Sequence, residues 1–126
     1  MTNSSYSIIK NALDASSMRQ RAISSNISNI NTPGYKVNKV EFEDHLRKAT
    51  DGIAMKKTNE SHFGVGNIGD VTATVEKRTS TVLNENGNNV DIDYEMTELA
   101  ANEIYYSTLI QLLNSKYSKL NASINR

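Results

Sequence analysis

Apolar side chains recur along the last third of the chain at alternating steps of four and three. From Ile92 the rhythm runs through Met96, Leu99, Glu103, Tyr106, Ile110, Leu113, Tyr117, Leu120 and Ile124, so nine of these ten positions are apolar or aromatic. A stripe kept up this long predicts a helix over 92–124 that packs along a partner, in the manner of a coiled coil or bundle. At 1.5 Å per residue it would run roughly 48 Å, too long for a compact domain unless something lies along it. Asp91 or Asp93 can cap its start, and Glu95 sits favourably among the free N–H groups of the first turn.

The N-terminal segment carries a weaker version of the same rhythm. Over 5–31 the stripe holds Ile9, Leu13, Ser16, Gln20, Ile23, Ile27 and Ile30, apolar at both ends and polar in the middle. An adjoining stripe of Ile8, Ala12, Ala15 and Ala22 is small, so another helix could approach closely. Asn26 and Asn29 flank the Ile23, Ile27, Ile30 seam. Asparagine is a poor interior helix residue because its amide competes for local backbone hydrogen bonds. The run Thr32-Pro33-Gly34 then stops the helix, since the residue before proline is driven out of the helical region and glycine permits a sharp exit into Tyr35.

Between the helices, 35–89 has a mixed character. The stretch 37–49 is partly helical by pattern, with Val40, Phe42 and Leu46 as candidate buried positions and Asp51-Gly52 as its break. The piece 59–70 reads as loop, and 71–83 alternates β-branched with polar residues, which predicts a short strand or hairpin. Residues 84–89 (NENGNN) form a turn into the last helix. The expected fold is therefore mainly α: one domain over 1–126, with paired long N- and C-terminal helices around a small loop and β middle segment.

Energetics direct the helices outward. An isolated helix is marginal in water, whereas each large apolar side chain buried contributes about 1.5–3 kcal/mol. Ile23, Ile27 and Ile30 cover only part of the longer stripe, and Tyr105, Leu109 and Leu112 off the stripe also need cover. Apolar surface of that extent marks a partner, which suggests terminal helices that fix on assembly. The alternative is a closed monomeric hairpin in which the middle segment covers these residues.

Composition narrows the classes. Hydrophobic residues make up 37% of 126, with no Trp and two Phe, and mean hydropathy is −0.53, thin for a self-contained core. Fourteen basic and fourteen acidic residues balance, against nucleic acid as main partner, since phosphate binding needs clustered Lys and Arg. No run approaches the roughly 20 apolar residues of a membrane span, and the first residues show neither the basic nor the apolar region of a cleaved signal peptide. The absence of cysteine excludes disulfide and thiolate chemistry.

Candidate chemical motifs fall away on context. Gly64 to Gly69 matches G-x-G-x-x-G but lacks the strand-to-helix setting of a dinucleotide site. Asp91, Asp93 and Glu95 resemble the opening of a calcium loop, yet Met96 stands where glycine is required. His45 and His62 lie apart without further ligands, and no serine has the histidine and carboxylate of a nucleophilic set. The sequence predicts no enzyme activity, no cofactor, no metal and no small-molecule substrate.

The run RQRAISSNISNINTPGYK, followed by VEFEDHLRKA, resembles the N-terminal signature of bacterial flagellar axial proteins, the rod and hook family. The run NGNNVDIDYEMTELAANEIYYSTLIQLLNSKYSKLNASI is similar to the C-terminal signature of its proximal rod branch, the FlgB type, and TNESHFG fits as well. Ser28 departs from the alanine more frequent there but stays small. The lead NNVDIDYEM favours this branch over the neighbouring FlgC type. The resemblance implies a structural rod component at the flagellar basal body, exported by the flagellar type III apparatus and polymerised around the export channel. It implies contacts with copies of itself, with other rod proteins, with the membrane-ring protein and with the rod adaptor. The expected subunit-packing residues are Ile23, Asn26, Ile27, Asn29, Ile30, Leu99, Tyr106, Ile110, Leu113, Tyr117 and Leu120, with Thr32, Pro33, Gly34 and Tyr35 as the turn; Asn26 and Asn29 either fix register by amide bonds or serve as helix-end polarity. A soluble export chaperone or regulator with an amphipathic C-terminal helix remains the reading from a different class.

Overall fold

The computed structural model describes the backbone of residues 2–54, 68–80 and 85–125. Two long helices dominate. Helix α1 (Thr2–Ser28) ends a little before the expected stop. Its last turn tightens, with Asn29 N donating to Asn26 O at 3.1 Å and Ile30 N to Ile27 O at 3.3 Å, the shorter i→i−3 pattern of a helix terminus. After α1 come strand β1 (Asn38–Glu41) and helix α2 (Glu43–Ala54), then a 3₁₀ turn at Ile68–Asp70. Strand β2 (Thr74–Lys77) and helix α3 (Ile92–Ile124) complete the chain. Asp91 caps α3, its Oδ1 accepting from Asp93 N at 3.1 Å and Tyr94 N at 3.3 Å.

The middle segment corrects the sequence expectation in two places. Residues 38–41, expected within a partly helical stretch, are a strand, because Val40 and Phe42 face inward at the two-residue period of extended chain. The short strand expected in 71–83 is present as β2, and its partner is the distant β1, antiparallel, with Val40 opposite Val75. Asp51-Gly52 does not break α2, which continues through it to Ala54; a single glycine costs a helix only about 1 kcal/mol. Most of the G-x-G-x-x-G run, and His62 with it, lies outside the described residues.

Helices α1 and α3 run antiparallel. Tyr6 meets Tyr117 edge to face, Ser16 bonds Asn102 and Asn26 bonds Glu95, so the partners advance in opposite directions. The small stripe on α1 makes the close approach possible, with Ala12, Ala15 and Ala22 buried. Into the space beside them goes Phe42, which clusters with Ala12, Ala15 and Leu109 and is flanked by Leu13, Leu46, Val71, Ala73 and Tyr105. Asn11 Nδ2 ties the 3₁₀ turn to α1 through Gly69 O and Val71 O, both at 2.8 Å. Among the described residues no helix is long and apolar enough to cross a membrane.

Candidate functional site

The end of α1 is fixed by an amide network. Asn26 projects from the last helical turn toward β1, and its side chain pairs with the backbone of Asn38 as a second peptide would. Its Oδ1 accepts from Asn38 N at 2.9 Å, and its Nδ2 donates to Asn38 O at 3.0 Å. Nδ2 also donates to Glu95 Oε2 at 3.0 Å, and Oδ1 accepts from the Tyr35 hydroxyl at 3.1 Å. An amide offers two donors and two acceptor positions, so Asn26 is saturated within the chain. Asn29 is likewise turned inward, its Nδ2 donating to Ser25 O at 2.8 Å and its Oδ1 accepting from Thr32 Oγ1 at 3.1 Å. Both asparagines therefore order the helix end.

Asn88, fully buried, closes α1 from outside. Its Nδ2 lies 2.8–2.9 Å from the carbonyls of Asn29, Ile30 and Thr32, in the region where a helix C-terminus leaves carbonyls without intrahelical partners. Asn89 Oδ1 accepts from Val37 N and Asn89 Nδ2 donates to Arg78 O. The two turns meet back to back. Gly34 and Gly87 both have left-handed φ, 70° and 80°, and Gly34 N donates to Asn86 O at 3.0 Å. Lys36 Nζ adds a bond to Gly87 O at 2.7 Å. Thr32, Pro33 and Gly34 stay exposed while Tyr35 is half-buried.

Between the long helices the seam is largely polar. Ser16 Oγ donates to Asn102 Oδ1 at 2.9 Å, and Asn102 Nδ2 donates to Ser16 O at 3.0 Å and Gln20 Oε1 at 3.2 Å. Glu95, Asn102 and Leu109, seven residues apart in turn, are the buried line of α3. The helix is thus rotated away from its apolar stripe, which lets Asn102 reach α1 across the alanine surface. Burial raises the Glu95 carboxyl above the ordinary 4.5; Glu98 and Asp91 push the same way, against the Asn26 hydrogen bond and Arg78. Burial also raises the Tyr105 phenol, and the Tyr6 hydrogen bond raises that of Tyr117. Arg19 grips Glu43 at 2.7 and 2.9 Å, fastening α2 to α1.

The sequence-predicted packing residues divide accordingly. Ile23 and Asn26 are buried within the chain; Ile27, Asn29, Ile30, Leu99, Ile110 and Leu113 are half-buried; Tyr106, Tyr117 and Leu120 are exposed. With Ile92, Met96 and Ile124 the last three form an apolar flank of α3 open to the outside, Leu120 being 55% exposed and Ile124 69%. Sequence reasoning missed Asn88, Asn89 and Asn102 as structural centres and read Glu95 only as a helix-start residue. The signal was present for the first two in the dense NENGNN run, and for Asn102 in its polarity between Leu99 and Tyr106. His45 is half-buried, its Nε2 2.9 Å from Thr74 Oγ1. No group of metal-holding side chains is found among the described residues.

Known proteins are similar to this sequence. Residues 10–36 match the family described as flagella basal body rod protein, a span that contains the small stripe, the asparagines and the turn. Over 112 residues the chain is 38% identical to the flagellar basal body rod protein FlgB of Bacillus subtilis, covering 89% of this chain and 86% of that protein. The FlgB proteins of Borreliella burgdorferi and Escherichia coli K12 are similar at 34% over 117 residues and 30% over 112. Those alignments cover 86% of this chain and 87% of the first protein, and 83% of this chain and 81% of the second.

Proposed function

The chain belongs to the FlgB family of flagellar basal body rod proteins, and from that premise we propose how its surfaces build a rod. It is a structural component of the proximal rod, and no enzymatic role attaches to the family. Family membership takes the place of the export-chaperone alternative. Subunits polymerise through their terminal helices into a tube that serves as drive shaft and export channel. One surface of each copy meets a different surface of the next, a heterologous arrangement that propagates as a helix instead of closing on itself.

The observation that supports this reading is the apolar flank of α3. Met96, Tyr106, Tyr117, Leu120 and Ile124 are all more than 40% exposed, although they continue the pattern by which helices bury side chains against helices. Ile110 and Leu113, half-buried, join them where a neighbour would complete the cover. Ile27 and Ile30 carry the corresponding contacts at the far end of the hairpin. Neighbours are copies of this chain and other rod proteins, with the membrane-ring protein and the rod adaptor on the inner side. Export by the flagellar type III apparatus delivers the subunit to the growing structure.

Replacing Ile110 and Leu113 together by aspartate tests the reading. In a bacterium whose own FlgB gene is deleted, the variant is expected to restore neither swimming nor rod assembly. Normal incorporation of the double variant would refute the assignment of this surface.

A further inference from the structure

Among the first turns of α3, strand β1 and the middle of α1 lies a cavity of about 340 Å³, lined by Ile23, Val40, Arg78, Tyr94, Glu95 and Glu98 among others. Its charges are unevenly matched. The Arg19 and Glu43 side chains at its rim pair at 2.7 Å, and Lys39 and Glu41 pair at 2.6 Å. The Arg78 guanidinium lies over the Tyr94 ring, 6.0 Å from its centroid. Glu95 is different: it is only 3% exposed, and among the described residues its carboxylate accepts a hydrogen bond from Asn26 alone and no cation reaches ion-pair distance of it. A carboxylate accepts at about four positions, so most of the capacity of Glu95 is unused beside an empty space large enough for a side-chain head group. Arg78 attracts Glu95 from the cavity wall without pairing with it, and a buried carboxylate that lacks a direct ion pair is completed by a ligand that carries a cation into contact.

We propose that this cavity receives the basic head group, guanidinium or ammonium, of a side chain from an adjoining rod subunit, which pairs with Glu95. The inference rests on the reading of the chain as a rod subunit and names the chemistry of one of its contacts. Glu98, which also lines the cavity, guides the cation, and the buried Ile23 and Val40 beside it lower the local polarity and strengthen the pair. The contact supplies direction: an apolar flank alone slides, whereas a cation paired with a carboxylate at a fixed place sets one register between subunits.

Two measurements on the full chain decide it. In carboxyl-labelled protein followed by NMR, methylguanidinium chloride is expected to lower the Glu95 titration midpoint by at least about half a pH unit relative to sodium chloride of equal ionic strength. Identical midpoints in the two salts overturn the proposal. In cells, Glu95→Gln preserves the acceptor for Asn26 but removes the charge, and rod incorporation is expected to fall about tenfold or more, with the monomer folded and its melting unimpaired. Normal incorporation of Glu95→Gln while the Ile110 and Leu113 double aspartate variant is blocked overturns this proposal alone; normal incorporation of both overturns the assembly reading as well. Should Glu95→Gln fail to fold, the titration of the unaltered chain decides by itself. A basal-body map with Arg78 of the same chain seated on Glu95 would likewise overturn it.

Discussion

Asn26 carries more of the native geometry than any apolar residue near it, because one planar amide holds α1, β1, Tyr35 and α3 at once. Truncation to alanine leaves Asn38 N–H, Asn38 C=O and Glu95 without their partner in a buried place. Each such group costs about 1–3 kcal/mol, and partial access of water lowers the sum, so Asn26→Ala is expected to lose about 2–4 kcal/mol in urea unfolding at unchanged slope. Glu95 makes stability depend on pH in the opposite sense to an ion-paired carboxylate. Burial raises its value in the folded chain above the ordinary 4.5, so between these two values the folded chain binds more proton than the unfolded one. Its contribution is present in full below 4.5 and is lost as pH rises through the raised value. Melting of the purified proteins at pH 4 and pH 7 is therefore expected to show the natural chain losing stability relative to Glu95→Gln as pH rises, with the variant the more stable of the two at the higher pH.

The glycine turns and the helix they terminate form a single element in energetic terms. A non-glycine residue with left-handed φ costs about 1–2 kcal/mol. A Cβ on Gly34 would meet nothing within 4 Å, and one on Gly87 only the Gly34 backbone at ordinary contact distance, Cα at 3.7 Å and N at 4.0 Å. Backbone strain is then the whole penalty at either position. Gly34→Ala and Gly87→Ala are expected to lower stability by similar amounts, about 1–2 kcal/mol each, which calorimetry of the two variants would check. The same elements show what a sequence displays and what it withholds. The long α3, its Asp91 cap, the small alanine stripe and the Thr32-Pro33-Gly34 stop were legible, because each follows from local pattern or local sterics. The pairing of β1 with β2 was not, since strand register depends on residues more than thirty positions apart and 38–41 also fits a helical spacing. The rotation of α3 was hidden for another reason. Apolar periodicity marks the face that becomes dry eventually, and here the face that packs inside the chain is Glu95, Asn102 and Leu109. The asparagines of NENGNN read as a turn, and nothing local reveals that Asn88 reaches back to Asn29, Ile30 and Thr32.

The hairpin as a whole inverts the usual division of labour in a two-helix unit. Its inner seam is held by hydrogen bonds, and no fully buried side-chain N or O atom lacks a partner among the described residues, while much of the apolar stripe faces out. Polar pairs of this kind are directional and favour one alignment of α1 on α3. In the proposed assembly each subunit would arrive with its helices in register and its apolar flank available, and polymerisation would supply the hydrophobic term that the monomer lacks. A sharp separation of effects follows for residues on the flank that touch little within the chain. Tyr106→Ser combined with Leu120→Ser removes two side chains that are 44% and 55% exposed, and surface substitutions away from special contacts usually lie within about 0.5 kcal/mol. The purified double variant is therefore expected to melt within a few degrees of the natural chain, by about the shift such an energy produces in a domain of this size. In the flagellated cell the same variant is expected to restore swimming poorly, because each lost contact recurs at every subunit of the rod. A variant that is unchanged in both measurements would show that the stripe is not the assembly surface. One that unfolds in isolation would show that Tyr106 and Leu120 support the monomer instead, and the division between polar interior and apolar exterior would fail with it.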